Sequence, residues 1–111
     1  MSINVKRLAL GLAVLLPLAA GASTPQQIWE DQCVGCHGAN GDGKTKEGIK
    51  LRIKDYTDPA MQAAFTDSGL LRNLLLGVSA RVDGDRMPSY KDKLTIAEAK
   101  ELVAFIRTLK K

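Results

Sequence analysis

The chain is short of the residues that most often carry chemistry. Its 111 residues include one histidine, two cysteines, four prolines and one tryptophan, and aromatics make up 5%. A zinc site needs four tetrahedral ligands, or three and a water. Two cysteines and one histidine, with Cys36 and His37 adjacent, suit it poorly. No acid–base pair stands beside a recognisable nucleophile, which leaves hydrolytic chemistry without its usual parts. There is no internal repeat and no low-complexity stretch. The one apolar run, Leu8 to Ala20, is broken by Gly11 and Pro17 and falls short of the ~20 residues of a membrane span.

That run does have a meaning. Lys6 and Arg7 precede it, and it closes on Ala20-Gly21-Ala22. A basic start, a short apolar stretch and a small-x-small site form the pattern of a secretory signal peptide. The expected cleavage follows Ala22, so residues 1–22 are the signal and 23–111 the mature domain. An uncleaved anchor is the alternative. Lys6 and Arg7 supply two units of the full-chain net charge of +4 and leave with the signal. The basic balance is therefore no argument for nucleic acid, and any partner surface must be a local charge pattern. A single domain this small buries a thin core unaided.

The mature chain is organised around Cys33-Val34-Gly35-Cys36-His37. C-x-x-C-H is the attachment pattern of a c-type haem, with two thioether bonds and an iron-binding histidine. If the stretch is helical, residues three and four apart share a face, so Cys33, Cys36 and His37 turn toward one partner. A redox dithiol and a structural disulfide are the competing readings. The first expects strand-rich flanks, which are missing, and neither explains His37. Thioether attachment in bacteria takes place outside the cytoplasm, so motif and export signal support each other.

The remaining punctuation predicts helices joined by glycine-marked loops. Thr24, Pro25 and Gln27 form a capping box and first turn, and the helix they start should stop at Gly38. Gly38, Gly41 and Gly43 mark a tight loop. Ile49, Leu51 and Ile53 alternate, suggesting an extended segment between Lys44 and Lys54. Asp58-Pro59 starts a short helix to about Phe65. Asp67 or Ser68 should cap a helix carrying Leu70, Leu71, Leu74 and Leu75 and ending at Gly77. Val78 to Lys93 reads as a long loop, of a length that is usually functional. Thr95 and Glu98 form a second capping box, opening a helix with a stripe of Ala99, Leu102, Phe105, Ile106 and Leu109.

Over essentially the whole mature length this pattern resembles the class I c-type cytochromes. The resemblance rests on Trp29 four residues before the first cysteine, the Cys-x-x-Cys-His-Gly run, the leucine helix ending at Gly77, Met87-Pro88 with Tyr90, and Phe105 in the last helix. It implies a small all-α fold whose first and last helices cross, with Trp29 and Phe105 at the crossing. Two features depart from the family: the usual glycine of the first helix is absent, and so is the loop proline whose carbonyl accepts from the iron-binding histidine. Gly48, Ile49 and Lys50 are the nearest substitutes for that acceptor.

The function implied is a monomeric periplasmic electron carrier with one haem c, passing electrons between redox partners. A haem enzyme or gas sensor with an open sixth position, or a small electron-transfer subunit of a larger complex, are the alternatives. The single histidine excludes bis-histidine ligation within one chain, leaving methionine, lysine or nothing opposite His37. Met87 occupies the family's ligand position, and Pro88 biases it toward an extended backbone. Met61 reads as core filler. Arg52 and Tyr56 are the favoured donors to the haem propionates, with Trp29 and Tyr90 behind them. Lys44, Lys46, Lys50, Arg52 and Lys54, with Arg81, Arg86, Lys91 and Lys93, suggest a basic rim for an acidic partner. Glu47, Asp83, Asp85 and Asp92 are interspersed with them.

Overall fold

Thr24 opens the first helix as its capping box predicts. Its hydroxyl accepts from the Gln27 N–H at 3.2 Å, and the Gln27 side chain accepts from the Thr24 N–H at 2.9 Å. The computed structural model describes residues 11–13, 23–79 and 85–111. Apart from 11–13, the expected signal segment lies outside the described residues, as do Arg81, Asp83 and Gly84 of the expected loop.

Helix α1 covers residues 25–37 in three parts: α-helical Pro25–Ile28, a π-helical turn Trp29–Cys33, and α-helical Val34–His37. Gly38 ends it at φ 84°, ψ 157°, backbone that only glycine adopts readily. Four further helices follow among the described residues: α2 (Lys46–Leu51), α3 (Pro59–Ala64), α4 (Asp67–Leu76) and α5 (Ile96–Thr108). Between α4 and α5, strands β1 (Val78–Ser79) and β2 (Asp85–Met87) pair antiparallel, with Val78 opposite Met87. The all-α expectation holds, with this one small addition.

The core forms where α1, α4 and α5 meet. Ile28, Trp29, Cys33, Leu70, Leu74, Ala99, Leu102, Val103 and Ile106 are its buried members, and Ala99 and Leu102 are 0% exposed. Trp29 and Phe105 pack with ring centroids 5.7 Å apart and planes at 53°, the contact expected between first and last helices. A polar clamp ties α3 and α4 to α5. The Arg107 guanidinium donates to Asp67 at 2.8 Å, to the Gln62 side chain at 3.0 Å and to the Phe65 carbonyl at 2.7 Å.

Three local expectations are corrected. The Lys44–Lys54 stretch is not extended: Thr45 caps α2 by accepting from the Gly48 N–H at 2.8 Å, and Ile49 lies 70% exposed. Three alternating residues were too few to define a period, and the cap decided the conformation. Helix α4 is capped by Thr66, whose hydroxyl accepts from the Gly69 N–H at 3.0 Å, not by Asp67 or Ser68. Asp67 instead occupies the first turn, where its charge suits the helix dipole. The expected long loop after Gly77 contains the β1–β2 pair, too short to leave an alternating pattern.

Candidate functional site

Residues far apart in sequence converge on one cleft of about 260 Å³. Cys33, Cys36 and His37 reach it from α1, Tyr56 and Phe65 from the segments around α3, and Met87, Pro88 and Tyr90 from the end of β2 and the chain after it. Arg52, Lys54 and Arg86 also line it. A smaller void behind the cleft shares Cys33, His37, Tyr56, Asn73 and Met87, and Trp29 borders it. Met61 lines neither space.

The helix delivers the motif as its spacing requires. Cys33 is buried, while Cys36 and His37 are half-buried. The π turn lies just before Cys36, closing with the Val34 N–H donating to the Trp29 carbonyl five residues back. Such turns add a residue to the helix and recur at functional sites. Behind the motif, Thr45 Oγ1 donates to the Cys36 carbonyl at 2.6 Å and the Gly43 N–H donates to the His37 carbonyl at 2.8 Å. Gly48 must lack a side chain, because a Cβ there would collide with the carbonyl oxygens of Gly43 and Cys36.

Both cysteines are free. Burial, and then the neighbouring Cys36, push the Cys33 thiol up to about 11. A working redox dithiol needs the reverse shift, toward a thiolate at neutral pH. Among the described residues, no three His, Cys, Asp or Glu side chains gather closely enough for a metal ion. The dithiol and zinc readings are therefore unsupported. Burial also lowers the His37 pKa, so the imidazole stays neutral, the form that binds a metal.

Opposite α1, Met87 is half-buried and its segment is pinned at several points. The Tyr90 N–H donates to the Leu74 carbonyl at 2.9 Å, Ser89 Oγ to the Leu75 carbonyl at 2.6 Å, and the Tyr90 hydroxyl to the Gln32 carbonyl at 3.3 Å. The last of these joins the Met87 segment directly to α1. Sequence reasoning missed Asn73. It shares a face of α4 with the buried Leu70 and Leu74, and an amide on a leucine stripe was the signal available.

Two thiols, one imidazole and one thioether on a mainly apolar cleft fit the donor set of a covalently attached haem. The buried indole Nε1 of Trp29, without a partner among the described residues, lies behind the same cleft. A donor set of this kind on a small helical fold defines a haem-carrying protein. The Cytochrome c family model matches residues 22–110, and the chain belongs to that family. Its cofactor is one haem c, held through Cys33 and Cys36. Among solved structures, it is similar to the KustC0563 c-type cytochrome, with 28% identity and a TM-score of 0.71. That match covers 80% of this chain and 100% of the other. A tyrosine-to-phenylalanine mutant of Kustc0563 matches at 26% identity and a TM-score of 0.66, covering 79% of this chain and 100% of that one. No curated protein matches the chain. Together with the helical fold, the family and its solved relatives make this a class I c-type cytochrome.

Proposed function

We propose that this cytochrome is a periplasmic electron carrier whose iron is held by His37 on one side and Met87 on the other. The convergence of Met87 with the motif in one cleft, from fifty residues further along the chain, carries the reading. When bound, the haem supplies a one-electron iron couple. The protein's part is to hold that couple in place and tune it. Burial keeps His37 neutral. Met87 offers a soft thioether, which favours reduced iron and raises the potential. Pro88 fixes the backbone beside it, while Ser89 and Tyr90 anchor the segment to α4 and α1.

The same cleft bears on the haem propionates and the partner. Arg52 and Tyr56 both line it and are the donors we assign to the two carboxylates, since burying uncompensated charge is costly. Arg52, Lys54 and Arg86 at the cleft, with exposed Lys44, Lys46, Lys50, Lys91 and Lys93 on the surface, favour redox partners with an acidic docking face. Contacts of this type are small and brief. Residues 1–22 act as a cleaved export signal, and the family match beginning at residue 22 supports that boundary. Among the described residues, no helix is long and apolar enough to cross a membrane.

A haem enzyme or gas sensor requires an open sixth position, whereas Met87 lines the same cleft as His37 and is the ligand we assign to it. The test is carbon monoxide binding by the reduced holoprotein at neutral pH. A carrier with both axial positions filled binds it slowly and incompletely. Rapid, complete binding would overturn the proposal.

A further inference from the structure

Among the described residues, aromatic rings hold His37 and no group hydrogen-bonds its buried Nδ1. The Tyr56 ring stacks on the imidazole at 5.3 Å between centroids with 12° between planes, and Trp29 adds a tilted contact at 5.6 Å. A metal-binding histidine ordinarily donates its other N–H to a carboxylate, carbonyl or water, which fixes the ring and raises its basicity. Two of the three carbonyls expected to serve here already accept elsewhere. Gly48 accepts from the Ile53 N–H at 2.9 Å and Ile49 from the Arg52 N–H at 3.2 Å, closing the last turn of α2.

Tyr56 is itself firmly placed. Its N–H donates to the Gly41 carbonyl at 2.9 Å, in the loop just after the motif. Its carbonyl accepts from Gln62 Nε2 at 2.7 Å, and the same amide donates to the Ile106 carbonyl at 2.9 Å. Gln62 is 6% exposed, so this tie to α5 is shielded from water. Phe65 supports the Tyr56 ring edge-on, at 5.6 Å and 72°. Tyr56 is therefore anchored through both of its backbone polar groups and along its ring.

We propose that Tyr56 is a positioning residue for His37, its stacked ring setting the imidazole plane in place of an acceptor on Nδ1. The inference rests on His37 being the iron ligand. It assigns the orienting role to the aromatic face of Tyr56 and leaves its hydroxyl free for other contacts. A ring oriented by stacking alone gains no added basicity, which leaves His37 a weaker donor and favours reduced iron.

The experiment compares wild-type holoprotein with Tyr56→Phe and Tyr56→Leu. It reads the hyperfine-shifted haem methyl resonances of the oxidised cyanide adduct, in which cyanide takes the sixth position and the order reports the plane of the axial imidazole. Tyr56→Phe keeps the stack and is expected to keep the wild-type order. Tyr56→Leu loses the stack and is expected to change the order while the iron remains low-spin. An unchanged order in Tyr56→Leu overturns the inference. The ¹⁵N shift of His37 Nδ1 in reduced wild-type protein tests it without any variant: a non-hydrogen-bonded value supports it, and a hydrogen-bonded value overturns it. Failure of the underlying ligand reading looks different, since the wild-type spectrum would then lack imidazole-ligated low-spin iron.

Discussion

The wall of the cleft that carries Cys33, Cys36 and His37 is a capped helix packed into the core. The wall that carries Met87 is a short strand and irregular chain, fastened by a few hydrogen bonds. On the first wall, regular structure fixes the functional side chains, because Trp29 and Cys33 are core residues and site residues at once. On the second, Met87 depends on how its neighbours Gly77, Ser89 and Tyr90 meet α4 and α1. A covalent attachment point and the axial ligand we propose place different demands on the chain. The first gains from rigidity throughout, whereas the second needs only a correctly held segment.

Substitutions can separate the two walls, and the largest effect belongs to the helical frame. Leu102 is 0% exposed in α5, and Leu102→Ala should cost about 2–5 kcal/mol. Chemical denaturation of the holoprotein measures that loss, and the iron spectrum in native buffer should not change. Gly77→Ala should show the opposite balance. Gly77 has φ 75° and ψ 179°, and a Cβ there would lie 2.5 Å from the Met87 carbonyl oxygen. The strain is on the order of 1–3 kcal/mol. Because it acts on the backbone of Met87, the methionine–iron absorption band should weaken along with stability.

Smaller effects are expected away from the cleft. Thr95 caps α5 by accepting from the Glu98 N–H at 3.0 Å, and Thr95→Ala should cost about 0.5–2 kcal/mol, read from the shift in denaturation midpoint. The smallest concerns Asp55. The Thr57 hydroxyl, donating at 2.6 Å, is the main cause holding this carboxyl below its ordinary value of 3.8; the Thr57 N–H assists and burial opposes. A carboxylate with a depressed folded pKa stabilises the protein above its unfolded value, and that contribution fades as pH falls through the folded value. Asp55→Asn should therefore lower stability slightly at neutral pH and converge with the wild type in acid, which flattens the acid limb of stability against pH. Solvent screening keeps the effect small.

The contrast between the walls also explains what could be read without coordinates. Both capping boxes, the stop at Gly38 and the stripe of α5 follow from local spacing, and the Trp29–Phe105 contact from the family resemblance; all are present. Val103 joined that stripe unannounced, since a helix face is wider than its strict period. Helix α2 was misread because one cap and one glycine, Thr45 and Gly48, outweighed an apparent alternation. The β1–β2 pair, the Arg107–Gln62 clamp and the Tyr56–His37 stack depend on residues brought together only by folding. At the candidate site, the attachment motif was legible because one helical turn encodes it. Met87 was singled out through family resemblance and lines the cleft, while the pinning of its segment by Ser89 and Tyr90 had no local signature.

The pairing of His37 with Met87 is the central claim, and optical spectroscopy of the oxidised holoprotein tests it most directly. A methionine bound to ferric haem gives a weak far-red charge-transfer band. The account predicts that band in the wild-type protein and in Met61→Leu, since Met61 lines neither the cleft nor the void behind it. In Met87→Ala the band should vanish and the reduction potential should fall, because a soft donor to reduced iron has been removed. A band that survives in Met87→Ala, or disappears in Met61→Leu, would contradict the assignment.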